Sequence, residues 1–152
     1  MEGLSRVRFT NLDKVLYPDL GVTKKQVVMH YIRAAPRMLP LLRDRPLTVT
    51  RFPDGTHGEG FYMKDAPMGT PEWVKTHTRF SESAGRDTSY IVCNDLDTLL
   101  WLANLAALEI HVPLSRAPDT SQPDLVLFDL DPEPPAGWRE VKQAAHLIRR
   151  QL

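Results

Sequence analysis

The stretch Asp124-Leu-Val-Leu-Phe-Asp129-Leu-Asp131-Pro132 constrains this chain more than any other segment. A short apolar run closed by Asp and Pro reads as a strand over 124–131, the clearest in the chain. A strand cannot satisfy its backbone N–H and C=O groups alone, so the chain must build a sheet. Successive side chains of a strand point to opposite faces, which puts Asp129 and Asp131 on the same face. Their Cα atoms are then roughly 6.7 Å apart, at about 3.4 Å per residue. From there both carboxylates can converge on one divalent ion, or on two ions about 3.5–4 Å apart. Hard oxygen donors suit Mg2+ or Mn2+, as phosphoryl and nucleotidyl transfer require. The plain alternative is a strand that ends in a solvated Asp-x-Asp-Pro turn.

Other elements follow from local signals. A short element is expected over 4–9, then a turn at Tyr17-Pro18-Asp19-Leu20-Gly21. Thr23, with Gln26 three residues on, forms a capping box at the start of a helix. Val27, Val28, Tyr31, Ile32, Ala35, Leu39 and Leu42 recur at helical spacing and give it one apolar face. Pro36 and Pro40 lack the N–H that a helix interior needs, so the helix is predicted to run to about Ala35, with a short turn beyond. Residues 47–52 read as a strand, Pro53-Asp54-Gly55 as its closing turn, and 58–64 as a hairpin-like partner. A loop at 68–71 and a strand at 89–93 come next. Asn94 is expected to cap a helix from Asp95 to about Ala106. Residues 109–112 alternate as a half-buried strand does, and 117–123 form a polar loop. Residues 137–152 are amphipathic, with Val141, Ala145, Ile148 and Leu152 on one face. Strands both before and after helices imply an α+β fold, or a mixed α/β sheet.

Composition excludes some classes. At 152 residues, 42% hydrophobic and 25% charged, the chain suits one globular domain. It has no apolar run of about 18 residues, so no membrane partner is expected, and its N-terminus is too polar for a signal peptide. A single cysteine, Cys93, rules out an internal disulfide and is expected in the core. The default placement is cytoplasmic. A net charge of zero argues against a general nucleic-acid binder. The distribution is uneven, however. Residues 1–64 carry 11 Lys and Arg against 6 Asp and Glu, whereas 65–152 carry 8 against 13. Such a split fits phosphate binding in one place and cation binding in another, or a chance scatter of surface charge.

Several segments, taken together and in order, resemble one family. They are Asn11-Leu-Asp-Lys14-Val-Leu-Tyr17-Pro18, Gly21-Val-Thr23-Lys24, Thr48-Val-Thr-Arg51-Phe-Pro53-Asp-Gly55, Gly60-Phe61-Tyr62-Met-Lys64, the stretch from Trp101 through Glu109-Ile-His111-Val-Pro113, and Asp129-Leu-Asp131-Pro132. The ordered set resembles the polymerase domain of bacterial ligase D, of the archaeo-eukaryotic primase superfamily. That family extends, fills or primes DNA ends in non-homologous end joining, preferring ribonucleotides. It works beside an ATP-dependent DNA ligase, fused or separate, and the end-binding protein Ku, in the bacterial cytoplasm with the nucleoid.

The resemblance implies roles at matching positions. Lys14 and Lys24 resemble the pair that grips the 5′-phosphate of a DNA gap or end, a task two ammonium groups suit. Phe61 and Tyr62 resemble aromatics that stack on bases, although neighbours on a strand face opposite sides and core packing is expected for one of them. Arg51 and Lys64 are candidates for phosphate or nucleotide contact, or for surface ion pairs. His111, on one face with Glu109, resembles the histidine at the triphosphate of the incoming nucleotide. Asp129 and Asp131 match the catalytic, metal-binding aspartates, which implies Mn2+ or Mg2+. His30, His57, His77 and His146 lie outside the motifs.

The family's domain is about twice as long. Two later motifs, a Ser- and His-containing strand-turn and a third metal-binding aspartate, have no counterpart here, so the chain is read as a partial domain. A catalytically incomplete polymerase follows, or a non-catalytic 5′-phosphate-binding module. A distant alternative is a phosphatase like the haloacid dehalogenases, whose Asp-x-Asp is usually followed by Thr or Val where this chain has Glu133.

Overall fold

The computed structural model describes residues 5–152. Of the short element predicted over 4–9, residue 4 lies outside this range and residues 5–9 are irregular. The first regular pieces are β1 (Val15–Tyr17), a 3-10 turn at Pro18–Leu20 and β2 (Val22–Thr23), which pairs antiparallel with β1. Then come α1 (Lys24–Leu42), β3 (Pro46–Arg51), β4 (Phe61–Met63), β5 (Thr76–Ser81), β6 (Arg86–Val92), α2 (Leu96–Asn104), β7 (Ala107–His111) and α3 (Trp138–Gln151). The larger sheet is antiparallel and centred on β3, which pairs with β4, β6 and β7. β5 pairs with β6 at its edge. This is the α+β class that the sequence implies.

The core lies between the helices and the sheet. Val27, Val28, Tyr31, Ala35 and Leu42 of α1 pack with Leu99, Leu100, Leu102 and Ala103 of α2 and with Leu47 and Val49 of β3. Tyr31 ties α1 to β7 by donating its hydroxyl to the Ala107 carbonyl at 2.8 Å. Cys93 is fully buried, and burial pushes its thiol up to about 12.

The capping box at Thr23 is present: its hydroxyl accepts from the Gln26 N–H, and Gln26 returns a bond to the Thr23 N–H at 2.8 Å. The predicted break at Ala35 is not. α1 runs on through Pro36 and Pro40 to Leu42. Both prolines are exposed and lie four residues apart, so the carbonyls they leave without a donor face water, while the apolar face stays on the core. Asn94 does not cap α2. Asp95 does, accepting from the Thr98 N–H at 2.8 Å, while Asn94 reaches Asp44 across the molecule at 2.7 Å. β5 carries no apolar alternation, and pairing with β6 alone makes it a strand.

The largest departure is the run 124–131, which is irregular instead of a strand. Leu125, Val126, Leu127 and Phe128 are 47%, 62%, 75% and 48% exposed. Among the described residues no strand lies alongside them; the run is held only at its root, where the Asp124 N–H donates to the Leu114 carbonyl at 3.0 Å. A segment with buried-strand composition but no sheet neighbour takes its backbone hydrogen bonds from water. α3 forms as predicted but buries none of its residues.

Candidate functional site

β4 is the element that divides the site. Its register against β3 sets Phe61 opposite Arg51 and Tyr62 opposite Thr50, so the two aromatics face opposite sides of the sheet. Neither is core: Phe61 is 44% exposed and Tyr62 57%. The expectation that one of them packs inside is corrected. β4 lies at the margin of the sheet, with open space on both faces.

On the Phe61 side three cations gather. Lys14 follows the Asn11 turn, its own C=O accepts the Lys24 N–H at 2.8 Å, and this brings the first residue of α1 beside it. Lys24 is buried, and its ammonium donates to the Asn104 carbonyl at 2.9 Å. Arg51 donates from Nε to the next carbonyl, that of Leu105, at 3.0 Å, and its guanidinium lies 4.8 Å from the centre of the Phe61 ring. The carbonyl-rich end of α2 is a natural place for such cations. Burial, then the charges of Lys14 and Arg51, hold the Lys24 ammonium below the usual lysine range. Burial likewise lowers Arg51. Lys14 is paired with Asp54 at 2.7 Å, while among the described residues Lys24 and Arg51 have only backbone oxygens or the Met63 sulfur as partners. Lys24 is therefore not a solvated lysine, and Arg51 is not half of a surface ion pair. An anion that enters here relieves like-charge repulsion and carries an aromatic face beside it.

The Tyr62 side holds the other predicted residues. His111 pairs in register with Thr48, and its Nε2 lies 3.0 Å from the Thr50 hydroxyl and 3.5 Å from the Glu109 carboxylate. The shared face of Glu109 and His111 is as the alternation predicts. The Tyr62 and His111 rings are 5.2 Å apart, and the Lys64 ammonium lies 5.7 Å from the Tyr62 ring. Lys64 donates to the Ser83 hydroxyl at 2.8 Å and forms no ion pair among the described residues. Tyr62, Lys64 and Ser83 edge an open groove of 530 Å³ whose walls also include Thr48, Arg79, Ser81 and Tyr90. Arg79 stacks over Tyr90 at 4.7 Å. The sequence did not single out Arg79, which belongs to no short motif, and gave Thr50 no role within its motif, because strand pairing is what places each of them.

Asp129 and Asp131 stand apart from both groups. They are exposed and line one hollow of 280 Å³ against the first turn of α3, where Glu140 is occupied in accepting the Gly137 N–H at 2.9 Å. The run lacks a strand's hydrogen-bonded ladder, yet both residues line this one hollow. Their carboxylates are the right donors for a hard divalent ion. Among the described residues, however, no three His, Cys, Asp or Glu side chains come together to hold one. No helix among these residues is long and apolar enough to cross a membrane.

Comparison with known proteins bears on the family and the fold. The sequence matches the family described as LigD, primase-polymerase domain, over residues 23–152. It is 37% identical over 151 residues to the multifunctional non-homologous end joining protein LigD of Mycolicibacterium smegmatis, covering 98% of this chain and 20% of that protein. Against the bifunctional non-homologous end joining protein LigD of Bacillus subtilis, identity is 34% over 147 residues, covering 97% and 23%. The polymerase domain of Mycobacterium tuberculosis ligase D, solved in complex with DNA, matches with a TM-score of 0.70 at 38% identity, over 74% of this chain and 38% of that one. The chain thus spans about a fifth of the length of the curated relatives it matches. The antiparallel sheet around β3, the motifs strung along it and sequence matches over nearly the whole length converge on one conclusion: this chain belongs to the LigD primase-polymerase domain family.

Proposed function

We propose that this chain is the end-recognising, nucleotide-facing part of a DNA-repair polymerase that acts in non-homologous end joining. The observation that carries this reading is the convergence of Lys14, Lys24 and Arg51 beside the exposed ring of Phe61. Three cations and an aromatic face suit a terminal 5′-phosphate with its adjoining base. On the opposite face, His111 and Lys64 meet the triphosphate of an incoming nucleotide, and Tyr62 stacks on its base. Nucleotide addition is the attack of a primer 3′-hydroxyl on the α-phosphate, with pyrophosphate leaving. Asp129 and Asp131 would hold Mg2+ or Mn2+, which supplies charge neutralisation at the reacting oxygens. Two carboxylates leave that site short of a ligand, so the chain alone is a poor polymerase. Gapped DNA and nucleoside triphosphates are its ligands; a DNA ligase and Ku are its partners.

A second reading, a non-catalytic 5′-phosphate-binding module, is favoured by one observation: the cationic side is assembled while the aspartates lie on an irregular, exposed segment. One titration tests what both readings share. Gapped DNA with a recessed 5′-phosphate should bind several-fold tighter than the same gap with a 5′-hydroxyl. Lys14→Ala combined with Lys24→Met, which keeps the buried stem, should erase the difference. Equal affinity for the two gaps in the wild-type chain would sink both. Incorporation with Mn2+ on a gapped primer-template then separates them.

A further inference from the structure

The partner of Lys14 is fixed by the backbone. Asp54 sits in the turn after β3, where the Gly55 N–H donates to the Phe52 carbonyl at 3.0 Å. The next N–H, of Thr56, donates to the Leu16 carbonyl at 2.8 Å, which seats the turn on β1. Gly55 has φ +84°, and a Cβ there would come within 3.1 Å of the Leu16 carbonyl and 3.2 Å of the Val15 carbonyl. A residue without Cβ is what lets the turn approach so closely. Asp54 is thereby held over the residue just before β1, and its carboxylate lies 2.7 Å from the Lys14 ammonium while its side chain remains 80% exposed.

We infer that Asp54 is a specificity-determining residue: it occupies Lys14 as a resident carboxylate and sets the charge an incoming phosphate must carry to gain from that lysine. This rests on the reading of Lys14 as part of a 5′-phosphate site. A phosphodiester inside a DNA strand carries one negative charge. At Lys14 it would replace one monoanion by another, with no net Coulombic gain. A terminal phosphate carries about −1.5 to −2 at neutral pH, so it still gains after displacing Asp54. Lys24 and Arg51, held by carbonyls, attract either anion. Lys14 thus rewards a strand terminus and ignores the internal phosphates that outnumber it.

Three gapped duplexes that differ only at the recessed 5′ end test this: hydroxyl, phosphate and methyl phosphate, the last a monoanionic diester in the same place. Their affinities for the full 152-residue chain are compared at fixed salt. In Asp54→Asn the methyl phosphate gap should gain about three- to fivefold over the hydroxyl gap relative to wild type, the upper part of the range for an exposed ion pair. Asp54→Ala should do the same. In a Lys14→Met background Asp54→Asn should leave that ratio unchanged. An unchanged ratio in Asp54→Asn with Lys14 present, while wild type still prefers the phosphate gap over hydroxyl, would overturn the role of Asp54 and leave the phosphate site standing. A wild-type chain that binds phosphate and hydroxyl gaps alike would remove the site and this inference together.

Discussion

Tyr31 shows how one buried polar atom sets a pH limit on the fold. Its hydroxyl donates to the Ala107 carbonyl at 2.8 Å within the core, and burial pushes the phenol up to about 12 from an ordinary 10.0. Folding therefore favours the protonated form. The resulting stability is complete below pH 10, the ordinary value, and is lost as the pH rises toward about 12. Denaturant unfolding at pH 9 and pH 11 should show that loss in the wild-type chain. Tyr31→Phe should cost about 1 kcal/mol at neutral pH through the missing hydrogen bond, and should lose less between the two pH values. A similar loss in both proteins would mean that another group governs the alkaline limb. Local alternation was enough to put His111 on one face with Glu109. Asp54 was readable as part of a turn, but its bond to Lys14 spans 40 positions, and no local pattern carries it.

Among the elements, α1 tells most about what a local rule can decide. The Thr23–Gln26 box is complete within four residues, so the start of the helix could be read directly. Its end depends on the apolar face, which packs as far as Leu42 and carries the backbone through two exposed prolines. Those prolines still leave carbonyls unbonded and cost stability. Pro36→Ala, which restores an N–H donor toward Ile32, should therefore stabilise the chain by about 1–3 kcal/mol, read as a higher midpoint in thermal or urea unfolding. A lower midpoint would show that the pyrrolidine ring itself packs. β5 was illegible for the opposite reason: Thr76-His-Thr-Arg-Phe-Ser has no apolar period, and only the ladder to β6 makes it a strand. The 124–131 run had the apolar composition of a strand but has no ladder, so the same physics erased it.

Across the whole molecule, the basic excess of residues 1–64 sits on the packed body, whereas Asp129 and Asp131 lie on an exposed segment beyond it. Leu125–Phe128 and the amphipathic α3 present apolar surface to solvent, which invites association. Sedimentation velocity over a range of concentrations should show the chain self-associating, and Phe128→Lys should shift it toward monomer. Concentration-independent sedimentation of the wild type would refute this. The fold class was readable from the sequence because its helices and strands carry local signals. The arrangement of the site was not, because β3 brings residues from β4 and β7 together only once the sheet exists. The three-residue β4 then acts as a partition. Phe61 and Tyr62 hang from adjacent positions on opposite sides of one short backbone, so a ligand held against one ring and a ligand held against the other would be kept apart by the thickness of a single sheet.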